Sequence, residues 1–268
     1  MTARSETVAV EPVQISLPEA RAISVILLVA GMGRRLADAG SGPKVLLEFG
    51  GQTLLERHLR TLLAYGIEDI ALTVGYQSDA IRREVARLGL IERVRMVENP
   101  DFPVGSLVSL WLQDERLRGG RTVVLMDGDV LYDPGMIGRL LDTPAENVLL
   151  LDHDIEPGDE PVKICLREER IVDFRKKPEH ACDWYGESVG FFRFSADTSR
   201  DLARRCCWYV AQGQTDLEYE EAIRDLILAE PERFQVADIS DIAWTEIDFA
   251  EDVTRARENI LPRLDPCP

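Results

Sequence analysis

The chain has 268 residues, of which 45% are hydrophobic and 29% charged, a composition typical of a globular protein with a sizeable core. Its formal net charge of -17 argues against a nucleic-acid partner, since duplex binding relies on Lys and Arg to neutralise phosphates. No window approaches the ~20 apolar residues of a transmembrane helix, and the start lacks a signal-peptide pattern, so we expect a cytoplasmic protein without membrane insertion.

The beginning of the chain differs from the rest. Residues 1–21 contain two prolines and no clear periodicity, which predicts a loosely ordered N-terminal extension. Residues 22–268 show neither a linker nor an internal repeat, so we expect a single domain there. The five cysteines lack metal-type C-x-x-C spacing and are interpreted as packing residues.

The first regular element is a buried strand over residues 23–30, a continuous apolar run that ends in glycines. Gly31 and Gly33 allow a tight bend and a close approach of the backbone to a ligand. Three cations follow within the same loop: Arg34, Arg35 and Lys44. The stretch predicts a polyphosphate cradle, with a plain glycine turn and solvent-facing arginines as the alternative.

Helices and strands then alternate. The pattern predicts a helix over residues 54–63, a strand over 69–75, a helix over 78–89 and a strand over 93–98. This βαβαβ order indicates a parallel sheet covered by helices on both sides. His58 lies near the apolar face of the first helix and is interpreted as a partly buried structural histidine.

The second half is richer in strands. After a fourth buried strand over residues 121–126, the pattern predicts strands at 148–151, 162–166, 170–174, 188–194 and 234–239, and helices at 196–211, 217–229 and 250–260. The spacing of these strands indicates a smaller antiparallel region.

Two pairs of carboxylates stand at extended segments. Asp127 and Asp129 end the fourth strand, and Glu246 and Asp248 repeat the i, i+2 spacing that points two side chains to one side. The two pairs could converge on a hard divalent cation, although each could instead cap a turn. Together with the glycine loop they favour metal-assisted phosphoryl or nucleotidyl transfer.

The opening residues Leu28-Val-Ala-Gly-Met-Gly-Arg-Arg-Leu, followed by Pro43-Lys44, resemble the L-x-A-G-x-G-x-R…P-K signature of nucleotide-sugar-type nucleotidyltransferases. With the two acidic pairs, the chain looks most like the phosphocholine cytidylyltransferase group. The resemblance implies a three-layer Rossmann-like α/β fold, with a mostly parallel central sheet and an antiparallel acceptor side. It further implies transfer of CMP from CTP to a phosphorylated or phosphono alcohol such as phosphocholine, phosphoethanolamine, 2-aminoethylphosphonate or inositol phosphate.

The same resemblance implies roles for individual residues. The catalytic residues would be Lys44, which stabilises the α-phosphate, and Arg35, which clamps the phosphates. Mg²⁺ would be held by Asp129, Glu246 and Asp248, with Asp127 as a second-choice ligand. The nucleotide would be bound by Ala30, Gly31, Gly33, Arg34, Ser106 and Asp127. Ser106 stands where relatives often carry Asn. The resemblance therefore constrains the identity of the base and of the acceptor less than it constrains the phosphate contacts.

The acceptor site is predicted from residue chemistry, since a cationic head group favours aromatic rings and carboxylates. The candidate residues are Lys163, Trp184, Tyr185, Glu187, Glu218 and Tyr219, with Glu220 as a further possible carboxylate. The alternative is that the aromatic residues pack and that the acidic run at 218–221 is a solvated helix face.

Two other functions stay open at this point, a sugar-1-phosphate nucleotidyltransferase and a non-catalytic nucleotide-binding regulatory protein. The expected partners are CTP and the small acceptor, and a homodimer is left open.

Overall fold

The computed structural model describes residues 22–36, 42–155 and 161–265. The predicted extension over residues 1–21 lies outside this part of the chain. Two short elements after the first strand shape the glycine loop, the 3-10 turns Arg34–Leu36 and Lys44–Leu46.

The first half of the chain forms the predicted parallel sheet. Its parallel strands are β1 (Ile23–Val29), β4 (Asp69–Val74), β5 (Val94–Glu98) and β6 (Thr122–Asp127), and a separate antiparallel hairpin consists of β2 (Glu48–Phe49) and β3 (Gln52–Thr53). Its helices are α1 (Leu54–Ala64), α2 (Ser78–Arg87), α3 (Ser106–Trp111) and α4 (Asp114–Leu117). β1 pairs in parallel with β4 on one side and β6 on the other, and β5 extends the sheet beyond β4.

The second half adds the antiparallel region. Its strands are β7 (Val130–Tyr132), β8 (Asn147–Asp152), β9 (Lys163–Arg167), β10 (Arg170–Arg175), β11 (Trp184–Phe194), β12 (Phe234–Asp238) and β13 (Trp244–Glu246). Its helices are α5 (Gly135–Asp142), α6 (Ala196–Ala211), α7 (Tyr219–Ala229) and α8 (Ala250–Arg255). β11 pairs antiparallel with β6, β8 and β9, and so joins the two regions, whereas β12 pairs in parallel with β8. The predicted α/β architecture is therefore confirmed.

The core lies on both faces of the sheet. Along β1, Val25 and Leu27 pack into one apolar cluster with α1, whereas Ile26 packs into a second cluster with α6 and α7. A strand that is buried on both faces needs a continuous apolar sequence, as β1 has. Helices therefore cover both faces, and the carboxyl ends of β1, β4, β5 and β6 share one edge.

Several elements were not predicted, among them the β2–β3 hairpin. β7 and α5 follow the Asp127-Gly128-Asp129 turn directly, and β7 pairs with β13 in a separate two-stranded sheet. The last predicted helix ends as an α-helix at Arg255 and continues as a π-helix over Ala256–Ile260 and a 3-10 turn over Leu261–Arg263, while Pro231–Arg233 forms another 3-10 turn. No helix within the described ranges is long and apolar enough to span a membrane.

Candidate active site

The glycine loop leaves β1 at the edge where the parallel strands end. The Ala30 carbonyl accepts a hydrogen bond from the backbone N–H of Tyr76 at 3.0 Å, which ties the loop to the end of β4. Gly33 has a φ of +58°, and a Cβ there would stand 2.7 Å from the Lys44 Cγ. Glycine at this position therefore lets the Lys44 side chain cross the loop. The side chain of Arg34 and residues 37–41 lie outside the described part.

Three carboxylates meet at the same edge. One oxygen from each of Asp129, Glu246 and Asp248 lies within 4.8 Å of the others. The pairing of β13 with β7 sets Glu246 opposite Val130, and the backbone N–H of Ile247 donates to the Asp129 carbonyl at 2.9 Å. The structure thus brings Asp129 of the first predicted pair together with the second pair, through strands that are far apart in sequence.

Lys44 and Arg35 lie against this cluster. The Lys44 ammonium is 3.1 Å from Asp129 Oδ2 and also bonds Asp248 Oδ1. Burial alone would lower the pKa of Lys44, but the two carboxylates overcome it and raise the pKa above its ordinary value. Arg35 is more exposed, with its Nη1 at 3.6 Å from Asp248 Oδ2 and its guanidinium 5.2 Å from the centre of the Phe249 ring.

The cluster fits a hard divalent cation. All its donors are carboxylate oxygens, the ligand type that Mg²⁺ prefers. Desolvation by the surrounding protein, together with Asp129 and Asp248, raises the pKa of Glu246 well above its usual range. The three carboxylates repel one another, and a bound metal ion would offset that repulsion. Within the described residues, this is the one group of acidic, His or Cys side chains with such geometry.

Asp248 is fixed by the start of α8. The Asp252 carboxylate accepts from the backbone N–H groups of Asp248 at 2.9 Å and Phe249 at 2.7 Å. Arg255 holds the other Asp252 oxygen at 3.1 Å. The turn that carries Asp248 is thus braced by its own helix.

Asp127 lies apart from the cluster, although it belongs to the same predicted pair. Its Oδ2 accepts a hydrogen bond from the Tyr219 hydroxyl at 2.6 Å. Burial, with Asp129 and Glu220, raises the pKa of Asp127, and the Tyr219 hydrogen bond opposes that rise. Asp127 therefore faces α7 and is not one of the three clustered carboxylates.

His58 supports the acidic turn from behind. It is fully buried, more than the sequence predicted, and its Nε2 donates to the Gly128 carbonyl at 3.1 Å. Since a carbonyl only accepts, Nε2 carries the proton and Nδ1 can accept from the Tyr132 hydroxyl at 3.4 Å. Burial lowers the pKa of His58 to about 4, so the ring is neutral at pH 7. A neutral buried ring of this kind is structural.

Ser106 and Glu218 contact each other and join two helices. The Glu218 carboxylate accepts from the Ser106 hydroxyl and, at 3.2 Å, from the Ser106 backbone N–H. The Ser106 hydroxyl in turn accepts from the backbone N–H of Tyr219 at 2.9 Å. The pair therefore positions Tyr219, and through it Asp127, whereas the predicted contacts of Ser106 with nucleotide and of Glu218 with acceptor stay predictions.

A cavity of about 340 Å³ opens beside the acidic cluster. Of the predicted acceptor residues, Glu187, Tyr219 and Glu220 line it, and Lys163, Trp184, Tyr185 and Glu218 are not among its lining residues. Lys176 also lines it, and further lining residues were not singled out from the sequence as acceptor residues: Asp152, Trp244, Phe249 and Arg255. Asp152 is buried and pairs with Glu187 across β8 and β11.

The remaining acceptor candidates lie near the cavity without facing it. Trp184 is 38% exposed and stacks on His153 with ring centres 4.7 Å apart. The Lys163 ammonium donates to the backbone carbonyl of Lys176 at 3.1 Å and so holds the segment that carries Lys176. The aromatic rings at the cavity are instead Tyr219, Trp244 and Phe249.

Comparison with known proteins identifies a family. The model described as "MobA-like NTP transferase domain" matches residues 25–178, more than half of the chain. The chain is 31% identical over 243 residues to a bifunctional IPC transferase and DIPP synthase of Rubrobacter xylanophilus, covering 89% of this chain and 52% of the relative. It is 27% identical over 259 residues to a CMP-5'-(3-aminopropyl)phosphonate synthase of Streptomyces rubellomurinus, covering 91% of this chain and 40% of the relative.

The chain thus spans about half the length or less of these two relatives. Among solved structures, the CTP:phosphocholine cytidylyltransferase of Streptococcus pneumoniae superposes with a TM-score of 0.73 at 21% identity, over 88% of this chain and 98% of that one. At this identity the likeness shows the fold alone.

Proposed function

The chain belongs to the MobA-like NTP transferase domain family, and on that basis we propose that it is a magnesium-dependent cytidylyltransferase. It transfers CMP from CTP to a small phosphorylated or phosphono alcohol and releases pyrophosphate. The observation that carries the proposal is the convergence of Asp129, Glu246 and Asp248 with Lys44 at the end of the glycine loop. Carboxylates for a metal and cations for phosphates then stand at one edge of the sheet.

The choice of CTP and of the acceptor class rests on the relatives. The two that match about nine tenths of the chain are named for an IPC transferase and for a CMP-aminopropylphosphonate synthase. The first name is that of a transferase, and the second contains both CMP and a phosphonate, which fits the attachment of CMP to a small phosphorus-containing acceptor. The match extends past β8 into the antiparallel half, where the cavity lies, so it includes the acceptor side.

The residues of the chain act mainly by charge and position. An acceptor phosphate oxygen attacks the α-phosphorus of CTP, the bond from the α-phosphorus to the bridging oxygen breaks, and pyrophosphate leaves with that oxygen. Lys44 and Arg35 neutralise the negative charge that develops on the phosphates. The attacking oxygen is already anionic at neutral pH, so a protein base is unnecessary, in agreement with the structural role of His58.

Asp129, Glu246 and Asp248 would hold the metal, and bound Mg²⁺ supplies charge neutralisation and orientation of the triphosphate. Asp252 keeps Asp248 in place, and the hydrogen bond from Ile247 keeps the Asp129 backbone beside β13. Preorganised carboxylates of this kind reduce the reorganisation that metal binding requires.

The experiment measures pyrophosphate release from CTP with Mg²⁺ and a panel of acceptors: phosphocholine, 2-aminoethyl phosphate, 2-aminoethylphosphonate, inositol 1-phosphate and glucose 1-phosphate. We expect release that needs an acceptor, stops with EDTA and returns with Mg²⁺. Turnover of glucose 1-phosphate alone would instead favour a sugar-1-phosphate nucleotidyltransferase. Tight CTP binding without release from any acceptor would favour a regulatory protein.

A matched pair of variants tests the metal site. Glu246→Gln removes one clustered carboxylate and should lower kcat about a thousandfold, since a bound metal contributes several kcal/mol to the transition state. Glu92→Gln makes the same change at an exposed turn and should keep the parent rate. Equal rates for the two variants would contradict the assignment of Glu246 as a metal ligand.

A further inference from the structure

Lys44 lies between the glycine loop and the acidic cluster. Its turn is anchored by the buried side chain of Val45, and its Cγ, Cδ and Cε atoms lie within 3.5 Å of the place that a Cβ of Gly33 would take. The Lys44 ammonium is 3.1 Å from Asp129 Oδ2 and also bonds Asp248 Oδ1. The side chain therefore runs along the loop and ends at the carboxylates.

Asp129 and Asp248 can serve two kinds of cation. They are two of the three carboxylates proposed to hold Mg²⁺, and Lys44 already offsets part of their charge. The Lys44 side chain is only 16% exposed, so water screens its charge weakly, and an ammonium and a metal ion at the same carboxylates repel each other strongly. The Arg35 side chain is 46% exposed and lies 3.6 Å from Asp248 Oδ2, so it opposes a metal ion less. Lys44 and a metal ion therefore compete for these carboxylates.

The phosphates of a nucleotide give Lys44 a second partner. The glycine loop beside Lys44 is the part of the site proposed to bind the triphosphate of CTP, so the inference rests on the proposed function. Lysine has a flexible stem, and rotation about its last bonds can turn the ammonium from the carboxylates toward an anion on the loop. While Lys44 stays on Asp129 and Asp248, those carboxylates offset its charge, and it attracts a phosphate less.

We propose that Lys44 is an exchangeable cation of this site: it pairs with Asp129 and Asp248 in the metal-free protein, and it moves to the nucleotide phosphates when a divalent metal binds those carboxylates. Metal and nucleotide then favour each other's binding through a residue of the protein, in addition to their direct attraction. A nucleotide without metal meets a Lys44 that is already paired. The exchange is a device by which the site binds CTP tightly only together with its metal.

The first test measures the affinity of the nucleotide-free protein for Mn²⁺, from the electron paramagnetic resonance signal of the free ion. Lys44→Met should bind Mn²⁺ about 10- to 100-fold more tightly than the parent, the range that corresponds to one hydrogen bond between charged groups. Arg35→Met is the matched control, because it removes the same charge from a more exposed contact with Asp248. It should raise the affinity by no more than about fivefold.

The second test follows Lys44 in the parent protein, so it does not depend on the folding of Lys44→Met. The chain has four lysines, Lys44, Lys163, Lys176 and Lys177, and lysine labelled with ¹³C at Cε therefore gives a simple NMR spectrum. The signal that is missing from Lys44→Arg identifies Lys44. Mg²⁺ alone should lower the order parameter of Lys44 Cε, because the ammonium loses its two partners, and CTP added next should raise it again. Lys163, which donates to the backbone carbonyl of Lys176, should not respond to Mg²⁺.

The failures of the two proposals are distinguishable. Equal Mn²⁺ affinity in the parent and in Lys44→Met, or an unchanged Lys44 order parameter at saturating Mg²⁺, overturns the exchange and leaves the cytidylyltransferase standing. An equal gain of affinity in Arg35→Met and Lys44→Met also overturns it, because net charge would then set the affinity in place of the Lys44 contact. Absence of Mn²⁺ binding by the parent and by both variants overturns the metal site of the proposed function, and the exchange with it.

Discussion

Gly190 lies in β11 directly against the carboxylate of Asp127. Its φ is +75°, and a Cβ added there would stand 2.2 Å from Asp127 Oδ2. The Asp127 carboxylate could make room for that Cβ only by breaking its hydrogen bond with the Tyr219 hydroxyl, whose oxygen lies 2.6 Å from the same Oδ2. The left-handed backbone costs about 1–2 kcal/mol for Ala, and forced repacking costs about 1–3 kcal/mol. Gly190→Ala should therefore lower the free energy of unfolding by about 2–5 kcal/mol.

The assay is urea denaturation at pH 7, with Gly213→Ala as the matched control. Gly213 has a φ of +74°, but an added Cβ there meets no atom within 4 Å. The control should lose about 1–2 kcal/mol from backbone strain alone, and the difference between the variants measures the clash with Asp127. Gly190→Ala should also lose pyrophosphate release, because Asp127 is displaced. Equal losses of stability in the two variants would refute the packing of Gly190 against Asp127.

Three further predictions concern the support of the site. The folded-state pKa of His58, about 4, lies below the unfolded value. Its contribution to the free energy of unfolding is therefore fully present above about pH 6.5 and is lost as the pH falls through 4. The free energy of unfolding, measured by urea denaturation, should fall by about 3 kcal/mol over that range, and His58→Gln should remove this pH dependence. The same pH dependence in the parent and in His58→Gln would contradict the neutral buried ring. Lys44→Met should lower kcat about 100-fold or more in the pyrophosphate assay, and a parent-like kcat would exclude Lys44 from phosphate stabilisation. Ser106→Ala should cost about 1 kcal/mol in urea denaturation, because α7 loses the acceptor for its Tyr219 N–H; no loss would mean that water replaces the hydroxyl.

Local sequence patterns were sufficient for the parallel half of the fold. The apolar run of β1 and the glycines after it predicted both the strand and the loop, because burial on two faces and a tight bend each restrict residue type. Asp129, Glu246 and Asp248 could be proposed as partners because each stands at or just after an extended segment. Their convergence could not be derived from spacing alone, since it depends on the pairing of β13 with β7, and β7 was not predicted.

The acceptor site was harder to predict from the sequence, because it too depends on contacts between segments that are far apart in the chain. Glu187 reaches the cavity next to Asp152 only through the register of β11 against β8, which no local periodicity encodes. Trp184 and Tyr185 have the residue types of a cation site, yet both are exposed at the start of β11. Ser106 and Glu218 are separated by more than a hundred residues, and their contact joins two helix starts. Side chains of this kind are placed by tertiary packing, and residue type alone is a weak guide to them.

The proposed reaction at this site transfers CMP from CTP to a phosphate or phosphonate oxygen of the acceptor. ³¹P NMR of CTP, Mg²⁺ and 2-aminoethyl phosphate with the protein tests it most directly, because it shows which phosphorus bond breaks and which forms. We expect pyrophosphate and a new CDP-linked product to appear in equal amounts, and neither to appear with Asp129→Asn. Release of orthophosphate with CDP, or the same products from Asp129→Asn at the parent rate, would contradict the proposed reaction.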